Sequence, residues 1–245
     1  MNPFLSLIIP VYNDSKGIVA SLEKIEILFQ EWKLPSYEVI VVNDCSRDNT
    51  VAIVEEFLKR KNNPSFCLIH NDRNRGKGFS VAHGLLKAKG RHRFFTDSDL
   101  STPLKFLKPF VEELEKGTDV VIASRFSRGS RIVKERSLKI RFLSFCERLL
   151  IWTLSGLRFP DSQCGFKGFR GEVVAKIFGQ QRVYRFCFDV EALFLAKKMG
   201  LTIKTMPVDW YHDADTRVRL RDNFIFVWDL LRIRWNWLKG VCKAI

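Results

Sequence analysis

Residues 37–60, YEVIVVNDCSRDNTVAIVEEFLKR, contain the structural unit from which the fold follows. A short run of β-branched residues, apolar on both faces, comes first, and a longer segment with the apolar period of a helix follows. The same order recurs in LSLIIPV with GIVASLEKIEILFQEW, SFCLIH with GKGFSVAHGLLKAK, and HRFF with PLKFLKPFVEELEK, before a further run DVVIAS. Strands of this kind that alternate with helices indicate a parallel sheet covered by helices on each side. The sequence therefore predicts an α/β fold.

The alternation changes after the run DVVIAS. A long helical stretch is predicted near 137–156, followed by the turn-rich segment FPDSQCGFKGF (159–169), two more helices and a last strand LTIKTMPV. No internal repeat or low-complexity linker divides the chain. We therefore predict one globular domain over residues 1–212.

Composition limits the possible partners. The 245 residues are 46% hydrophobic and 28% charged, which is ordinary for a globular protein. The net charge of +14 favours polyanionic partners such as nucleic acid, anionic lipid or phosphorylated small molecules. Six cysteines without a C-x-x-C pair favour reduced thiols and a cytosolic protein. The first apolar run is broken at Pro10 and no run reaches about 18 apolar residues, so we predict neither a signal peptide nor a transmembrane helix.

Each of the first four predicted strands ends in acids or amides: VYND, VVND, IHND and FTDSD. In open α/β sheets, ligands bind outside the carboxyl ends of the strands, so these tips are predicted to face one crevice. Asn13, Asn71 and Asp72 are better explained as turn residues or helix N-caps. For Asp44 the two interpretations are balanced.

Asp97 and Asp99, in RFFTDSDLSTP (93–103), are harder to explain as caps. The next helix is predicted to begin at Thr102 and Pro103, so both carboxylates lie upstream of its cap. Two acids separated by one residue at a strand end project to the same side, where their charges raise each other's pKa. A divalent cation removes that repulsion, and a few hard oxygen ligands suit Mg²⁺ or Mn²⁺. The D-x-D pattern therefore predicts a metal site at the end of the fourth strand.

Six stretches in this order resemble glycosyltransferase family 2: SLIIPVYND, EVIVVNDCSRDNT, NRGKGFSVAHGL, FFTDSDLSTP, DVVIASR and DSQCGFKGF. Members of this family are inverting nucleotide-sugar transferases with the GT-A fold, a Rossmann-like, mostly parallel sheet flanked by helices. The sequence is most similar to the branch of dolichyl-phosphate glucosyl- and mannosyltransferases. DSDLSTP and QCGFKGF favour the glucosyl type. The resemblance implies UDP-glucose as donor, with GDP-mannose as the alternative, and a polyprenyl phosphate as acceptor.

The resemblance also implies roles for individual residues. It assigns four of them to the nucleoside: Pro10, Tyr12, Asp14 and Asp44. Asp97 and Asp99 become the site for metal and diphosphate, and Lys77 and Arg125 face the phosphates. The glycines beside Lys77 allow close approach of the backbone, and the N-terminus of the helix that follows directs N–H groups and a positive dipole at a phosphate.

The segment DSQCGFKGF adds Asp161 and Gln163 to the candidate catalytic residues. Three positions depart from the usual family pattern. Cys45 stands where the family usually has glycine, Ser98 where it commonly has alanine, and Asp14 where it commonly has glutamate.

The segment RFSRGSRIVKERSLKIRFLSFCER (125–148) holds eight basic residues against two acids. An apolar stripe falls on one face of the same helical stretch: Leu138, Phe142, Phe145, Leu149 and Trp152. Taken separately, a charge run is commonly a solvated face and an apolar stripe a core face. Together they suit an anionic head joined to an apolar tail, as in polyprenyl phosphate. The resemblance places Arg136 against the acceptor phosphate.

Residues 213–245 are predicted to form an amphipathic segment at a membrane interface. One helical stripe is apolar and rich in tryptophan: Phe224, Val227, Trp228, Leu231, Trp235 and Leu238. Polar and basic residues lie opposite: Arg232, Asn236, Lys239 and Lys243. Anionic lipid contributes roughly 1 kcal/mol per nearby basic residue to the binding of such a helix; packing on the sheet is the alternative. We expect a cytoplasmic protein, peripheral at the cytoplasmic face of a membrane.

The predicted reaction is displacement at the anomeric carbon of a nucleotide-activated hexose by a phosphate oxygen of the lipid. A phosphate monoester, whose second pKa is near 6, is largely dianionic at neutral pH and needs no general base. A saccharide or other hydroxyl acceptor would need a carboxylate base. Asp161 is the candidate for that base, with Asp189 and Glu191 as alternatives.

A basic nucleic-acid-binding protein is the alternative from another class, because the net charge permits it. The basic residues accompany a tryptophan-rich apolar stripe, however, and none of the usual recognition motifs occurs. We therefore predict no nucleic-acid partner. His212 and Asp213, in YHDAD, fit a surface loop better than a metal site.

Overall fold

The computed structural model describes residues 2–133, 138–185, 187–211 and 220–240. Its first half follows the predicted alternation of strands and helices. The elements are β1 (Leu5–Val11), α1 (Ile18–Trp32), β2 (Tyr37–Asn43), α2 (Thr50–Lys61), β3 (Phe66–His70), α3 (Lys77–Lys87), β4 (His92–Thr96), α4 (Leu107–Glu115) and β5 (Val120–Ser124). A short 3₁₀ turn, Leu104–Phe106, precedes α4. This half confirms the predicted α/β architecture.

The second half adds shorter strands and the remaining helices. Its elements are β6 (Arg131–Ile132), α5 (Leu138–Ser155), β7 (Phe166–Arg170), α6 (Gly171–Phe178), α7 (Phe188–Lys198), β8 (Ile203–Pro207), β9 (Asp209–Trp210) and α8 (Leu220–Leu238). The turn predicted for FPDSQCGFKGF is wrong in part, because its last four residues belong to β7. Glycine favours turns, but pairing with strands on both sides overrides that tendency here.

The main sheet has seven strands in the order β3-β2-β1-β4-β7-β5-β8. All neighbours are parallel except β7, which runs antiparallel to both β4 and β5. Because β1, β2, β3 and β4 are parallel, their carboxyl ends share one edge of the sheet. The loops that follow these strands, which hold the acids and amides noted above, therefore meet at that edge. A separate pair, β6 and β9, lies next to this edge, where Tyr211 N donates to the Ser101 carbonyl oxygen over 2.9 Å.

Helices cover both faces of the sheet. On one face, α1, α2 and α4 bury side chains such as Phe29, Phe57 and Phe110. On the other face, α3, α6 and α7 bury side chains such as Val81 and Leu193, and α5 and α8 pack outside them. Each large apolar side chain removed from water stabilises the fold by roughly 1.5–3 kcal/mol. These two cores hold the loops at the sheet edge in place.

Helices α5 and α8 pack against each other and keep apolar surface exposed. One face of α8 is buried in the core through Phe226, Leu230 and Ile233, as the alternative of packing on the globular domain predicted. Contact of the other face with a membrane stays a prediction. The exposed apolar side chains are Phe142, Leu143, Phe145, Leu149, Leu150 and Trp152 on α5 and Trp228, Leu231, Trp235 and Leu238 on α8. Within the described ranges, every helix is too short or too polar to traverse a bilayer.

Candidate active site

The turn that carries Asp97 and Asp99, the D-x-D turn, lies at the carboxyl end of β4. Leu100 N donates to the Asp97 carbonyl oxygen over 3.1 Å, and Ser101 N donates to Asp99 Oδ1 over 2.9 Å. Leu100 has a φ of +51°. A non-glycine residue in this conformation is strained, and such strain is found at functional sites where surrounding bonds hold it. These bonds fix the turn that carries both carboxylates.

The two carboxylates of the turn influence each other and fit a divalent cation. Partial burial and the neighbouring charge of Asp97 raise the pKa of Asp99. A cation removes this repulsion, and two carboxylates are suitable ligands for Mg²⁺ or Mn²⁺. Among the described residues there is no cluster of three or more His, Cys, Asp or Glu side chains that could hold a metal. A cation at the D-x-D turn would therefore take its remaining ligands from water and substrate phosphates.

Strand β7 brings the segment QCGFKGF against the D-x-D turn. Thr96 pairs with Phe166 in the register of β4 and β7, which places Gly165 beside Asp97. A Cβ atom at Gly165 would lie 2.1 Å from Asp97 Oδ2, and one at Gly168 would lie 2.2 Å from the ring of Phe94. At Gly168 the buried ring of Phe94 leaves no room for a side chain, and a side chain at Gly165 would displace the Asp97 carboxylate. The glycines that suggest a turn in the sequence are thus required by close packing on β4.

Lys77 is the first residue of α3, and its Nζ contacts Asp97 Oδ1. Burial lowers the pKa of Lys77, but the charges of Asp97, Asp189 and Asp99 outweigh it, so the pKa is raised. The ammonium group therefore stays charged beside the D-x-D turn. The N-terminus of α3 adds a positive dipole at the same place. The structure thus brings Lys77 and the acid pair into one site.

Asp44 binds the loop that precedes Lys77. Its Oδ1 accepts hydrogen bonds from Asn71 Nδ2 over 2.8 Å and Arg75 N over 2.9 Å. Its Oδ2 accepts one from Gly76 N over 2.8 Å, and the side chain is buried. Asn71 belongs to this network and caps no helix. Asp44 therefore positions the backbone of Arg75 and Gly76. From the residue types alone, a nucleoside contact and a helix cap were equally good interpretations of this residue.

The loops after β1 and β2 are tied to each other. Arg47 N donates to Asn13 Oδ1 over 2.8 Å, and Asp14 N donates to Thr50 Oγ1 over 2.8 Å. Asn13 joins two loops and does not cap α1, whose N-cap Gly17 makes no side-chain bond. These bonds hold both loops at the carboxyl edge of the sheet.

Arg125 follows β5 and is held by Asp161. Its Nε donates to Asp161 Oδ2 over 2.7 Å and its Nη2 to Oδ1 over 2.9 Å, while its backbone N donates to Oδ2 over 3.0 Å. Gln163 N also donates to Asp161 Oδ1, over 3.2 Å. Burial alone would raise the pKa of Asp161, but the guanidinium and backbone N–H of Arg125, together with the charge of Lys167, outweigh burial and lower it. A carboxylate so occupied is poorly suited to accept a proton, so Asp161 positions Arg125.

A cavity of about 570 Å³ opens beside Arg125. Its lining combines cations with aromatic, apolar and hydroxyl side chains: Arg125, Phe126, Ser130, Ile132, Arg141, Ser144, Phe145 and Arg148. The Arg148 guanidinium lies 4.1 Å from the centroid of the Phe126 ring, and that of Arg125 lies 5.5 Å from it. Arg141 and Arg148 stand seven residues apart on α5 and so share a helix face. The cavity therefore concentrates positive charge against aromatic surface.

Comparison with known proteins places the chain in a family. The family model described as "Glycosyl transferase family 2" matches residues 6–178, which include the D-x-D turn, Lys77 and the Arg125–Asp161 pair. The chain belongs to glycosyltransferase family 2. This confirms the family predicted from the six sequence stretches.

Relatives within family 2 match almost the whole chain. The dolichyl-phosphate beta-glucosyltransferase of Dictyostelium discoideum is 29% identical over 99% of this chain and 77% of that protein. The dolichyl-phosphate beta-glucosyltransferase of Homo sapiens is 30% identical over 98% of this chain and 77% of that protein.

Solved structures confirm the GT-A fold. Glucosyl-3-phosphoglycerate synthase from Mycobacterium tuberculosis, in complex with Mn²⁺, UDP and phosphoglyceric acid, has a TM-score of 0.68 at 16% identity, covering 99% of this chain and 80% of that one. The mannosyltransferase from Pyrobaculum calidifontis, in complex with GDP-Man and Mn²⁺, has a TM-score of 0.59 at 19% identity, covering 89% of this chain and 59% of that one.

Besides Asp44, described above, the family 2 resemblance assigns Pro10, Tyr12 and Asp14 to the nucleoside. All three lie at the end of β1 or in the loop after it, at the sheet edge that holds the D-x-D turn. Their contact with a nucleoside stays a prediction. Cys45, at the position where the family has glycine, has a φ of +61°, a conformation that favours glycine. The departure therefore leaves a strained residue where the family pattern has an unstrained one.

Three residues discussed in the sequence analysis lie outside the described part of the chain, and Asp72 does not make the contact predicted for it. Arg136, the predicted contact of the acceptor phosphate, lies outside the described residues, as do His212 and Asp213. Asp72 pairs with Arg75, with Nε 2.7 Å from Oδ1, and caps no helix.

The alternative carboxylate bases are buried and engaged in this family 2 chain. Lys167 Nζ lies 2.5 Å from Asp189 Oδ1 and 2.5 Å from the Cys164 carbonyl oxygen. Glu191 Oε2 accepts hydrogen bonds from two backbone N–H groups of the loop before α7. Lys167 was not predicted as a site residue, although its place between the glycines of GFKGF was a signal. Arg141 and Arg148 were not predicted either, although their seven-residue spacing indicates a shared helix face.

Proposed function

We propose that this glycosyltransferase moves glucose from UDP-glucose to a polyprenyl phosphate, with Mg²⁺ or Mn²⁺ held by Asp97 and Asp99. The observation that carries the proposal is the cavity beside Arg125. It presents three arginines to an anion, and it borders a helix that exposes aromatic side chains. An acceptor with an anionic head and an apolar tail matches both features.

The acceptor head and tail are proposed to follow the two parts of this surface. The phosphate would bind Arg141 and Arg148, since guanidinium groups form paired hydrogen bonds with phosphate oxygens. Phe145 lines the cavity and is 53% exposed, and Phe142, in the preceding turn of α5, is 70% exposed. The polyprenyl tail would leave the cavity along these side chains.

Positive charge on the donor side supports departure of the diphosphate. The charge of Asp97 acts on both Lys77 and Arg125, so both cations stand near the D-x-D turn. A bound divalent cation would act as a Lewis acid on the diphosphate oxygens. Lys77 and the N-terminus of α3 would stabilise the charge that grows on the leaving group. Preorganised charge of this kind commonly supplies the largest part of catalysis.

The proposed step is a single displacement with inversion. A phosphate oxygen of the acceptor forms a bond to the anomeric carbon, while the bond from that carbon to the diphosphate oxygen breaks and its electron pair leaves with UDP. No proton needs to be removed, because the phosphate is already ionised at neutral pH. The ion pair between Asp161 and Arg125 agrees with a reaction that needs no general base, since a hydroxyl acceptor would need a free carboxylate.

The donor and acceptor are proposed from the relatives. Those reported above are named dolichyl-phosphate beta-glucosyltransferases, which supports glucose as the sugar and a polyprenyl phosphate as the acceptor. UDP-glucose follows as the donor. GDP-mannose is the competing donor to be tested.

We also propose that the protein is peripheral, at the cytoplasmic face of a membrane, because its acceptor is a lipid. Support comes from the exposed aromatic residues of α5 and α8 and from the net charge of +14. Aromatic and basic side chains together suit an anionic lipid surface.

A transfer assay tests the proposal. The purified chain is incubated with Mn²⁺, a short-chain polyprenyl phosphate and separate UDP- and GDP-hexoses. We expect a lipid-linked hexose from UDP-glucose and a loss of about 100-fold in Asp97→Asn, since one electrostatic contact is commonly worth this much. Transfer to saccharides with rejection of the lipid would overturn the proposal.

A pair of variants tests the acceptor site separately. In Arg141→Ala/Arg148→Ala the KM for the lipid phosphate should rise about tenfold or more, because charged hydrogen bonds are lost, while the KM for UDP-glucose stays unchanged. Arg158→Ala, at an exposed position outside the cavity lining, is the control. An equal lipid KM in the double variant and the control would exclude the cavity as the acceptor site.

A further inference from the structure

The loop between α6 and α7 packs against the first turn of α3. The carbonyl oxygen of Tyr184 accepts a hydrogen bond from Phe79 N over 3.2 Å, and Gln181 Nε2 lies 3.4 Å from the Gly78 carbonyl oxygen. The rings of Phe79 and Tyr184 meet edge to face with 5.4 Å between centroids. Residues 181–185, the clamp loop, therefore touch the turn that begins with Lys77.

The contact between the clamp loop and α3 leaves no space for side chains at the two glycines around Lys77. A Cβ atom at Gly76, whose φ is +96°, would lie 2.7 Å from the Tyr184 carbonyl oxygen. A Cβ atom at Gly78 would lie 2.4 Å from Phe188 Cβ, at the start of α7. The pattern GKG is thus required by a packed contact, and the backbone around Lys77 has little freedom to move.

Glu191 on α7 holds the clamp loop from its other side. Its Oε2 accepts hydrogen bonds from Arg182 N over 2.8 Å and Val183 N over 2.7 Å. The side chain is 1% exposed. Burial raises the pKa of Glu191 to about 7, although the two backbone N–H groups and the charges of Arg232 and Arg182 oppose that rise. The buried Glu191 side chain thus bonds to the backbone of the clamp loop.

We propose that Glu191 is a positioning residue for Lys77. By holding the clamp loop against α3, it fixes the Lys77 ammonium group beside Asp97. The inference rests on the proposed function, in which Lys77 meets the diphosphate of the donor. Loss of Glu191 frees the clamp loop, the first turn of α3 moves, and donor binding weakens through Lys77.

The first test is calorimetric binding of UDP-glucose with saturating Mn²⁺ and without lipid. Glu191→Ala should weaken binding about tenfold, which corresponds to the loss of one to two hydrogen bonds. Glu191→Gln should stay within about twofold of the wild type, because its carbonyl oxygen still accepts both N–H groups. Glu56→Ala, at an exposed position on α2, is the control.

The second test is a double-mutant cycle with Lys77→Ala, which separates positioning from general loss of structure. If Glu191 acts through Lys77, Glu191→Ala weakens binding by less than about twofold in the Lys77→Ala background. Losses that multiply would overturn the inference. Tyr184→Ala, which removes the ring contact with Phe79, should show the same dependence on Lys77 and serves if Glu191→Ala does not fold.

The two proposals fail in different ways. A wild-type chain that binds no UDP-glucose contradicts the proposed function. A wild-type chain that binds it, with Glu191→Ala binding equally well, contradicts the assignment of Glu191 alone.

Discussion

Cys45 holds a strained backbone in the loop after β2, with a φ of +61°. This conformation costs an ordinary residue about 1–2 kcal/mol, whereas glycine adopts it freely but gives the unfolded chain more freedom. We expect Cys45→Gly to raise the free energy of unfolding by up to about 1 kcal/mol. Denaturation in urea measures the change.

Cys67→Gly is the matched control, because Cys67 is also exposed but lies within β3. Glycine inside a strand should lower the free energy of unfolding by about 1 kcal/mol. Equal destabilisation by both substitutions would show that the backbone at Cys45 carries no strain.

The Arg125–Asp161 pair makes a prediction that separates a positioning residue from a base. Asp161→Asn leaves the largely buried Arg125 without its counter-charge, so the free energy of unfolding should fall by about 3 kcal/mol. Transfer should slow because Arg125 is no longer fixed. The acid limb of the pH–rate profile, the fall in rate below about pH 6 where the acceptor phosphate takes up its second proton, should stay in place. Urea denaturation and turnover measured from about pH 5 to 8 check both expectations.

The pair of Asp209 and Lys105, whose lysine is largely exposed, supplies the comparison for Asp161. Asp209→Asn should cost no more than about 1 kcal/mol, as surface ion pairs do. Disappearance of the acid limb in Asp161→Asn would instead identify Asp161 as a general base.

Glu191 gives the protein a pH-dependent stability. Its pKa is raised by burial from an ordinary value of 4.5 to about 7. Between these values the unfolded chain has released the proton and the folded chain keeps it, so the contribution is complete below about pH 4.5 and lost as the pH rises to about 7. The loss corresponds to roughly 3 kcal/mol.

Urea denaturation of the wild type and Glu191→Gln at about pH 4.5 and pH 8 measures this contribution. The amide does not titrate, so the decrease in stability with rising pH should be smaller in the variant by that amount. Equal decreases in both proteins would show that Glu191 is ionised in the folded state throughout.

Strand β7 shows where prediction from the sequence stopped. The first five strands were predictable because each is a continuous apolar run next to a helix of regular period. The residues of β7 lie between glycines, and their strand structure comes from pairing with β4 and β5, which are distant in the sequence. Local pattern carries no information about such pairing, so the segment was interpreted as a turn.

The same limit applies to the site. Asp97 and Asp99 were predictable as a pair, because they end one strand at the ligand-binding edge of the sheet. Lys77 and Arg125 were added to them by the family resemblance. The partners of Asp161 and Asp44 were not. Asp161 bonds to Arg125, and Asp44 to the backbone of Gly76, and both contacts join segments more than 30 residues apart. A carboxylate available to a ligand and one occupied by the protein look alike in a sequence.

Helix α8 carries a buried apolar face and an exposed one, which leads to a prediction about membranes. Trp228 and Trp235 are 69% and 59% exposed, so Trp228→Glu/Trp235→Glu should leave the stability within about 0.5 kcal/mol. Binding to vesicles that contain anionic lipid should fall at least about tenfold, because apolar surface is lost and negative charge is added. Vesicle sedimentation measures this binding.

The control for α8 is Ile27→Glu, because Ile27 is 53% exposed and lies on α1, which covers the other face of the sheet. It adds one negative charge without touching α5 or α8. A similar loss of vesicle binding in this control would mean that net charge, and no particular helix, attracts the protein to the membrane.

At the ligand-binding edge of the sheet, the buried acids bind groups of the protein itself, whereas the acids of the D-x-D turn are partly exposed. Asp44, Asp161 and Glu191 are buried and bound to groups of the protein itself. Each of them holds a cation or a loop next to the site. The carboxylates of the D-x-D turn remain partly exposed between Lys77 and Arg125. Binding of a cation with a nucleoside diphosphate is therefore expected to depend on this turn and to stabilise the whole fold.

Ligand binding should appear as a shift in the melting temperature. A ligand that binds only the folded state at 100 times its Kd contributes about 2.7 kcal/mol, and for a chain of 245 residues each kcal/mol raises Tm by about 2–4 °C. Mn²⁺ with UDP should therefore raise Tm by roughly 5–10 °C. Calorimetry with and without a chelator measures the metal-dependent part of this shift in Tm. Asp97→Asn and Asp99→Asn should each abolish that part, and the control Glu56→Gln should retain it. A shift of the same size in excess chelator would mean that UDP binds without a cation, and the metal assigned to the D-x-D turn would have to be abandoned.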